Sequence, residues 1–413
     1  MKRCVIIGAG PAGVTAAETL RVFAENLEII MLTGEPYPPY SPPAMVEYFL
    51  SGRPVHFWKG ENFTEKLGID YRSNSSVRKI NPATKAVELA NGETINYDKL
   101  LLAAGARLYS PLKGSDKKGI HNFKSLLAGE KMLDEVRAGR VKTSLIVGAG
   151  FIGVEIALLL IELGLQVRML VRSRVMREML DPETSAIVKG TLLERGVEII
   201  EGNDADALEF VGSKSVEAVK MRSGIELKAD LIIAATGLKP NLELLKDSGV
   251  KYDWGILVDN YLCTNISDIY AAGDIAETID RLSGRRYAHA NYPNAVAQGR
   301  IAALNMLGHN VEYTGSDSMN SLKHLGIPVM AAGIMEGEEI RIRTNDNLRK
   351  IWIRDGKLVG FRLAGDINSA GIFLSLMRRS VDITSLKEEL LDTRFGMGFL
   401  IDSALDPSRK VIY

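Results

Sequence analysis

Apolar residues in this chain come in short runs with little polar alternation, most of them closed by glycine or another small residue. "CVII" precedes Gly8, "LEIIML" runs up to Thr33, "SLIV" precedes Gly148 and "QVRMLV" ends at Val171. "YDKLLLAAGARL" (97–108), "ADLIIAATGLKPN" (229–241) and "ISDIYAAGDIAE" (266–277) follow the same rule. Runs without polar alternation predict strands buried on both faces, the habit of parallel sheets. Between them the spacing turns helical: after the first glycines, Ala16, Leu20 and Phe23 share one face. Residues 144–167 are long and apolar enough to suggest a membrane span, but Glu155, Glu162 and four glycines make them read as strand, turn and buried helix. The pattern changes near the end. "EIRIRTNDNLRKIWIRDGKLVGFRLAGD" alternates, predicting antiparallel strands with a turn at Asp355 and Gly356, and helices are expected at about Ala370–Arg379 and Thr384–Leu391. "YAHANYPNAVAQGRIAALNML" (287–307) starts irregularly and continues as a helix with Ala295, Ala302 and Leu304 among its small or apolar positions.

Two of the glycine turns share one spacing. Gly8, Gly10 and Gly13 follow the first strand, and Gly148, Gly150 and Gly153 follow a later one. Strand, GxGxxG and helix form a dinucleotide fingerprint: the first glycine makes the tight turn, the second lets backbone approach a pyrophosphate, and the third lets helix pack on strand. Free amides at the helix start then face the phosphates. One copy is weak evidence, but two copies a domain apart imply two nucleotide sites. Asp274, at the end of another apolar run, can accept hydrogen bonds from a sugar or ribitol chain, or cap a helix.

With 413 residues the chain exceeds one ordinary core, so two or three domains are expected. Lys plus Arg and Asp plus Glu stand at 51 each, which gives no electrostatic case for nucleic acid or an anionic membrane as partner. The two cysteines, Cys4 and Cys263, form neither a CxxC nor a disulfide framework and suit a reducing cytoplasm. The basic, apolar start superficially resembles a signal peptide, yet its glycines are better explained by the nucleotide turn. His56, His121, His289, His309 and His324 are too scattered for a zinc site, and no metal is expected. "HFW" at 56–58 is either core or a partner-docking edge.

Together these segments resemble the pyridine nucleotide-disulfide oxidoreductase superfamily, the flavoproteins with two dinucleotide-binding domains, over essentially the whole chain. The resemblance implies an α/β fold: two Rossmann-like nucleotide-binding domains, the NAD(P) domain inserted in the FAD domain, and a small α+β C-terminal domain. Expected limits are 1–115 and 245–308 for FAD, 116–244 for NAD(P) and 309–413 for the last domain. It implies FAD at Gly8, Gly10, Pro11, Ala12, Gly13, Ala104, Gly105, Arg107, Gly273 and Asp274, with the Val77 backbone near adenine and Tyr292 over the flavin pyrimidine. It implies NAD(P)H at Gly148, Gly150, Ile152, Gly153, Thr236 and Gly237, with Glu155 beside nicotinamide and flavin as the positioning residue. A helix-packing glutamate is the plainer alternative for Glu155.

Three departures matter. Where an acid normally selects NADH, this chain has Val171 followed by Arg172, Arg174 and Arg177, which favours NADPH or tolerance of both, unless these arginines only form a solvated face. In the first unit the ribose-binding acid is displaced, leaving Glu35 or Thr33. "PYPPYSPPAM" (36–45) occupies the place where disulfide-using relatives keep redox cysteines, and has no thiol. It resembles the "PYxPYxRPPLSK" stretch of rubredoxin and ferredoxin reductases and nitrite reductase modules, with Ser41 and Pro42 at the flavin wall and Pro42 and Glu47 replacing two cations. Lys323 could supply a missing charge. The expected activity is an FAD-dependent NAD(P)H reductase passing electrons to a rubredoxin-type or iron-sulfur protein. The alternatives are a peroxide-forming oxidase and a flavin-bearing subunit of a redox complex, and a homodimer is also open.

Overall fold

The computed structural model describes residues 2–56, 60–344, 347–396 and 398. The expected aromatics Phe57 and Trp58 lie outside the described residues. The chain divides into two compact units.

The first unit comprises Met1–Ser110, His121–Gly139 and Gly237–Ser316. Its parallel sheet has the order Ile269–Ala271, Lys99–Leu102, Arg3–Ile7, Glu28–Leu32, Asp70–Arg72. The apolar runs predicted the first four of these strands but not the edge strand Asp70–Arg72, and Cys4, Val5, Ile6, Leu100, Leu101 and Leu102 are fully buried. Helix Pro11–Phe23 covers one face, with Ala16 and Leu20 buried. Phe23 departs from the expected face: at the helix end it is 54% exposed and packs edge-on against His309, 5.6 Å away. Helix Tyr292–Met306 runs tightly against Pro11–Phe23, because a Cβ on Gly299 would stand 2.2 Å from the Ala12 carbonyl oxygen. Its N-cap is Asn291, whose side chain accepts the Asn294 N–H at 3.0 Å.

The second unit comprises Pro111–Ile120, Arg140–Thr236 and Asp317–Tyr413. Strands Glu198–Glu201, Gln166–Val171, Thr143–Val147 and Leu231–Ala234 run parallel in that order. The apolar segment 144–167 is, as its glycines and glutamates predict, strand Thr143–Val147 followed by a turn and helix Phe151–Glu162. No helix among the described residues is long and apolar enough to cross a membrane. An antiparallel sheet follows, ordered Met319–Leu322, Val329–Gly333, Lys357–Ala364, Leu348–Arg354, Glu338–Arg343. Asp355 and Gly356 make its hairpin turn with φ of 52° and 69°. Helix Ala370–Arg379 is present. The second expected helix is instead two short 3₁₀ turns, Thr384–Leu386 and Glu389–Leu391. Leu386 and Leu390 are buried there, and a single 3₁₀ turn suffices to seat each one.

Residues 121–139 and 237–244 cluster with the first unit, and the last segment of that unit runs to Ser316.

Candidate functional site

In a parallel sheet every strand delivers its C-terminal end to the same edge, so residues far apart in sequence converge there. In the first unit that edge receives Gly8 from strand Arg3–Ile7, Thr33 from Glu28–Leu32, Ala104 from Lys99–Leu102 and Gly273 from Ile269–Ala271. Gly8 has φ of 113°, and a Cβ on it would lie 2.1 Å from the Ala103 carbonyl oxygen. Gly13 would collide with the Gly8 carbonyl oxygen at 2.0 Å, so helix and turn touch backbone to backbone. Gly10, by contrast, has nothing within 4 Å of its missing Cβ. Two glycines are demanded by packing, and the middle one leaves open space at the start of helix Pro11–Phe23, where a pyrophosphate could approach the backbone. Gly273, with φ of 81°, lies against Ala12: the space between its would-be Cβ and that of Ala12 is 3.1 Å. Asp274 beside it pairs with Lys124 at 2.7 Å. Nothing in the sequence singles out Lys124, since its partner is 150 residues away.

Other candidates on this edge are held by side chains. Asn241 donates to the Ala104 carbonyl at 2.8 Å, and its amide N–H donates to the Gly105 carbonyl at 3.0 Å. Arg107 donates to Asn241 Oδ1 at 3.0 Å and pairs with Glu243. Asn241 thus orders three of the predicted residues, and neither fingerprint signalled it. Thr33 Oγ1 accepts the Glu35 amide at 3.3 Å, and Val77 begins a three-stranded antiparallel sheet.

The proline stretch folds as a brace. Tyr40 forms an isolated bridge with His56, and a 3₁₀ turn at Pro42–Ala44 leads straight into helix Met45–Ser51. The Tyr40 hydroxyl donates to Glu35 Oε2 at 2.8 Å and accepts the Leu126 N–H at 3.0 Å, and burial is the main reason its phenol is held well above the usual range. Ser41 hydrogen-bonds the Tyr292 phenol, so two of the predicted flavin neighbours meet. Glu47 faces solvent and pairs with Arg53 at 3.4 Å. Neither thiol is reactive in character: burial pushes Cys4 up to about 12, and Cys263 is raised mainly by burial too.

The second edge repeats the first. Gly148 has φ of 109°, with a would-be Cβ 2.4 Å from the Ala235 carbonyl oxygen; Gly153 would stand 2.4 Å from the Gly148 carbonyl oxygen; Gly150 has open space. Ile152 and Glu155 lie in the first turns of helix Phe151–Glu162, and Thr236 follows strand Leu231–Ala234. Gly237 belongs to the first unit, where its carbonyl accepts the Tyr109 N–H at 2.9 Å. Burial drives the Glu155 carboxyl up to about 7, partly offset by the positive charge of Lys323. Of the arginines after Val171, Arg172 and Arg177 are exposed. Arg177 donates to Glu178 at 2.8 Å and to Ser173 Oγ at 3.4 Å. Arg174 turns inward, donating to the Arg177 and Leu180 carbonyls, and is a loop staple rather than part of a solvated face.

A family model described as pyridine nucleotide-disulphide oxidoreductase matches residues 2–299. An NADH oxidase of Methanocaldococcus jannaschii is 30% identical over 401 residues, covering 88% of this chain and 87% of its own. The epsilon subunit of the NADH-dependent phenylglyoxylate dehydrogenase of Aromatoleum evansii is 27% identical over 410 residues, covering 95% and 96%. The solved NADH:rubredoxin oxidoreductase of Clostridium acetobutylicum superposes with a TM-score of 0.72 at 26% identity, over 92% of this chain and 95% of that one. Two glycine cradles at the ends of two parallel sheets, matched along most of the chain by such relatives, place it: the chain belongs to the pyridine nucleotide-disulphide oxidoreductase family and is an NAD(P)H-dependent flavoprotein oxidoreductase.

Proposed function

We propose that this chain takes electrons from NADPH in preference to NADH and passes them through FAD to a rubredoxin-type or iron-sulfur protein. One observation carries the reading: the segment Pro36–Met45 has no thiol, and the only two cysteines of the chain are a buried strand residue and a half-buried one, both with raised thiol pKa. Electrons therefore leave without a disulfide relay. Bound FAD supplies an acceptor of two electrons that can be released one at a time.

The residues fit that group. The open side of Gly10 and the amides of the following helix turn receive a pyrophosphate, Asp274 with Lys124 faces a ribitol chain, and Thr33, Glu35 and Val77 lie at the adenosine end. Ser41, Pro42 and Tyr292 wall the ring, and Ala104, Gly105 and Arg107 close the edge. In the second unit Gly148, Gly150, Ile152, Gly153 and Thr236 receive the nicotinamide nucleotide, with Gly237 next in the chain. Glu155 orients its carboxamide with Lys323 nearby, and Arg172 and Arg177 meet a 2′-phosphate. The similarity to a rubredoxin reductase supports the acceptor class.

A relative named as an NADH oxidase supports a second reading, peroxide formation from dioxygen, and one named as a dehydrogenase subunit supports residence in a larger complex. Anaerobic stopped-flow reduction separates them. The purified protein should be yellow, NADPH should reduce it rapidly, and a rubredoxin or ferredoxin should reoxidise it faster than air-saturated buffer. Protein that neither carries nor takes up FAD defeats the assignment, and reoxidation fastest in air selects the oxidase.

A further inference from the structure

One buried cation of the C-terminal sheet grips the loop that carries the arginines. Lys350, in strand Leu348–Arg354, is 4% exposed. Its Nζ meets Asp181 Oδ1 at 2.7 Å, Glu339 Oε1 at 3.0 Å and Glu183 Oε2 at 3.5 Å. Asp181 is equally buried and is the N-cap of helix Pro182–Glu194. Its Oδ1 also accepts the amides of Glu183 at 3.1 Å and Thr184 at 3.4 Å, while Oδ2 accepts the Thr184 hydroxyl. A single carboxylate thus serves both the helix start and a lysine 169 residues away.

Between Val171 and Asp181 the loop is pinned to the glycine turn beneath it. The Met176 amide, at φ of 52°, donates to the Ala149 carbonyl at 2.8 Å. Arg174 holds the Arg177 and Leu180 carbonyls at 3.2 and 2.9 Å, and the Ser185 hydroxyl holds the Val175 carbonyl at 2.7 Å. Arg172 and Arg177 are left exposed at the rim. The strand end fixes one terminus of the loop and Asp181 fixes the other. Removing Lys350 would leave a buried carboxylate without its closest cation, a strongly unfavourable state that moving the cap towards water relieves. Arg341 and Arg343 also reach Glu183, but both are more than half exposed and contribute little.

We propose that Lys350 is a positioning residue for nucleotide selection: by holding the Asp181 cap it sets the loop in the conformation that presents Arg172 and Arg177 to a 2′-phosphate. This rests on the reading of that loop as the ribose-phosphate site. A loop ordered before binding loses less freedom on binding, so the anchor acts on affinity for the phosphorylated ribose and little on the rest of the nucleotide.

The test is calorimetric titration of the FAD-loaded full chain with 2′,5′-ADP and with 5′-AMP, alongside the NADPH to NADH ratio of kcat/KM. Lys350→Met should weaken 2′,5′-ADP about tenfold, within the usual range of coupling to a binding site, and 5′-AMP by less than about twofold. Lys350→Arg should keep most of the discrimination. Asp181→Asn keeps a cap oxygen but loses the charge; it should shift the ratio the same way, and it carries the test if Lys350→Met does not fold. If Arg172→Glu lowers the ratio while Lys350→Met and Asp181→Asn leave it unchanged, the anchor alone is overturned. If Arg172→Glu also leaves it unchanged, the ribose-phosphate reading falls with it.

Discussion

At the scale of single residues, the strongest constraints come from atoms that are missing. Gly13→Ala would place a methyl group 2.0 Å from the Gly8 carbonyl oxygen, and backbone cannot yield as a side-chain tip can. The variant should purify without bound flavin, as absorbance near the flavin band will show, whereas Gly68→Ala, where the space is open, should keep it at the cost of a strained φ of 59°. Glu155 gives a pH prediction. Burial raises its carboxyl from 4.5 to about 7, so folding favours the protonated form; its contribution to stability is complete below 4.5 and is lost as pH rises through 7. The melting temperature of the wild type relative to Glu155→Gln should therefore fall across that window, and parallel curves would refute the shift. The glycines and Glu155 were legible in the sequence because their reasons are local: a turn, a close approach, a carboxyl in an apolar helix. Lys124, Asn241 and Lys350 were not, because each acquires its role from a partner brought in by the fold over more than 130 residues.

At the scale of elements, apolar runs identified the inner strands of both parallel sheets, since burial on both faces leaves no polar alternation, whereas the partly exposed edge strands Asp70–Arg72 and Glu198–Glu201 carried no such signal. Ends of elements were less legible. Phe23 satisfied the helical period yet faces outward, because period says nothing about where the covering layer stops. Thr384–Leu391 carries leucines at helical spacing, but two 3₁₀ turns bury them as well. The proline segment depends on Tyr40, whose hydroxyl joins Glu35 to the amide of Leu126. Tyr40→Phe strips one hydrogen bond from each and should destabilise the chain by about 1–3 kcal/mol in urea unfolding. It should also speed flavin loss on dialysis; unaltered retention would mean that the segment stands without its brace.

At the scale of the whole molecule, the proposed function gives the thiols no part in electron transfer. Cys4→Ala with Cys263→Ala should keep NADPH-driven reduction of the acceptor protein within about twofold; a selective collapse of turnover in a folded double variant would restore a thiol mechanism. Arg172→Glu should lower the NADPH to NADH ratio by at least about tenfold, on the logic that an acid repels the 2′-phosphate and welcomes the hydroxyl. The division into units also had a surprise, since helix Leu126–Arg137 joins the first unit and brings Lys124 to Asp274 with it. The five prolines of Pro36–Met45 bear on the proposed electron transfer in one last way. Proline has no N–H to turn towards a charge and fixes its own φ, so a backbone rich in it has fewer ways to reorient when charge arrives beside it or departs. On the proposed function, such a wall would lower the reorganisation that each single-electron step demands of the flavin pocket.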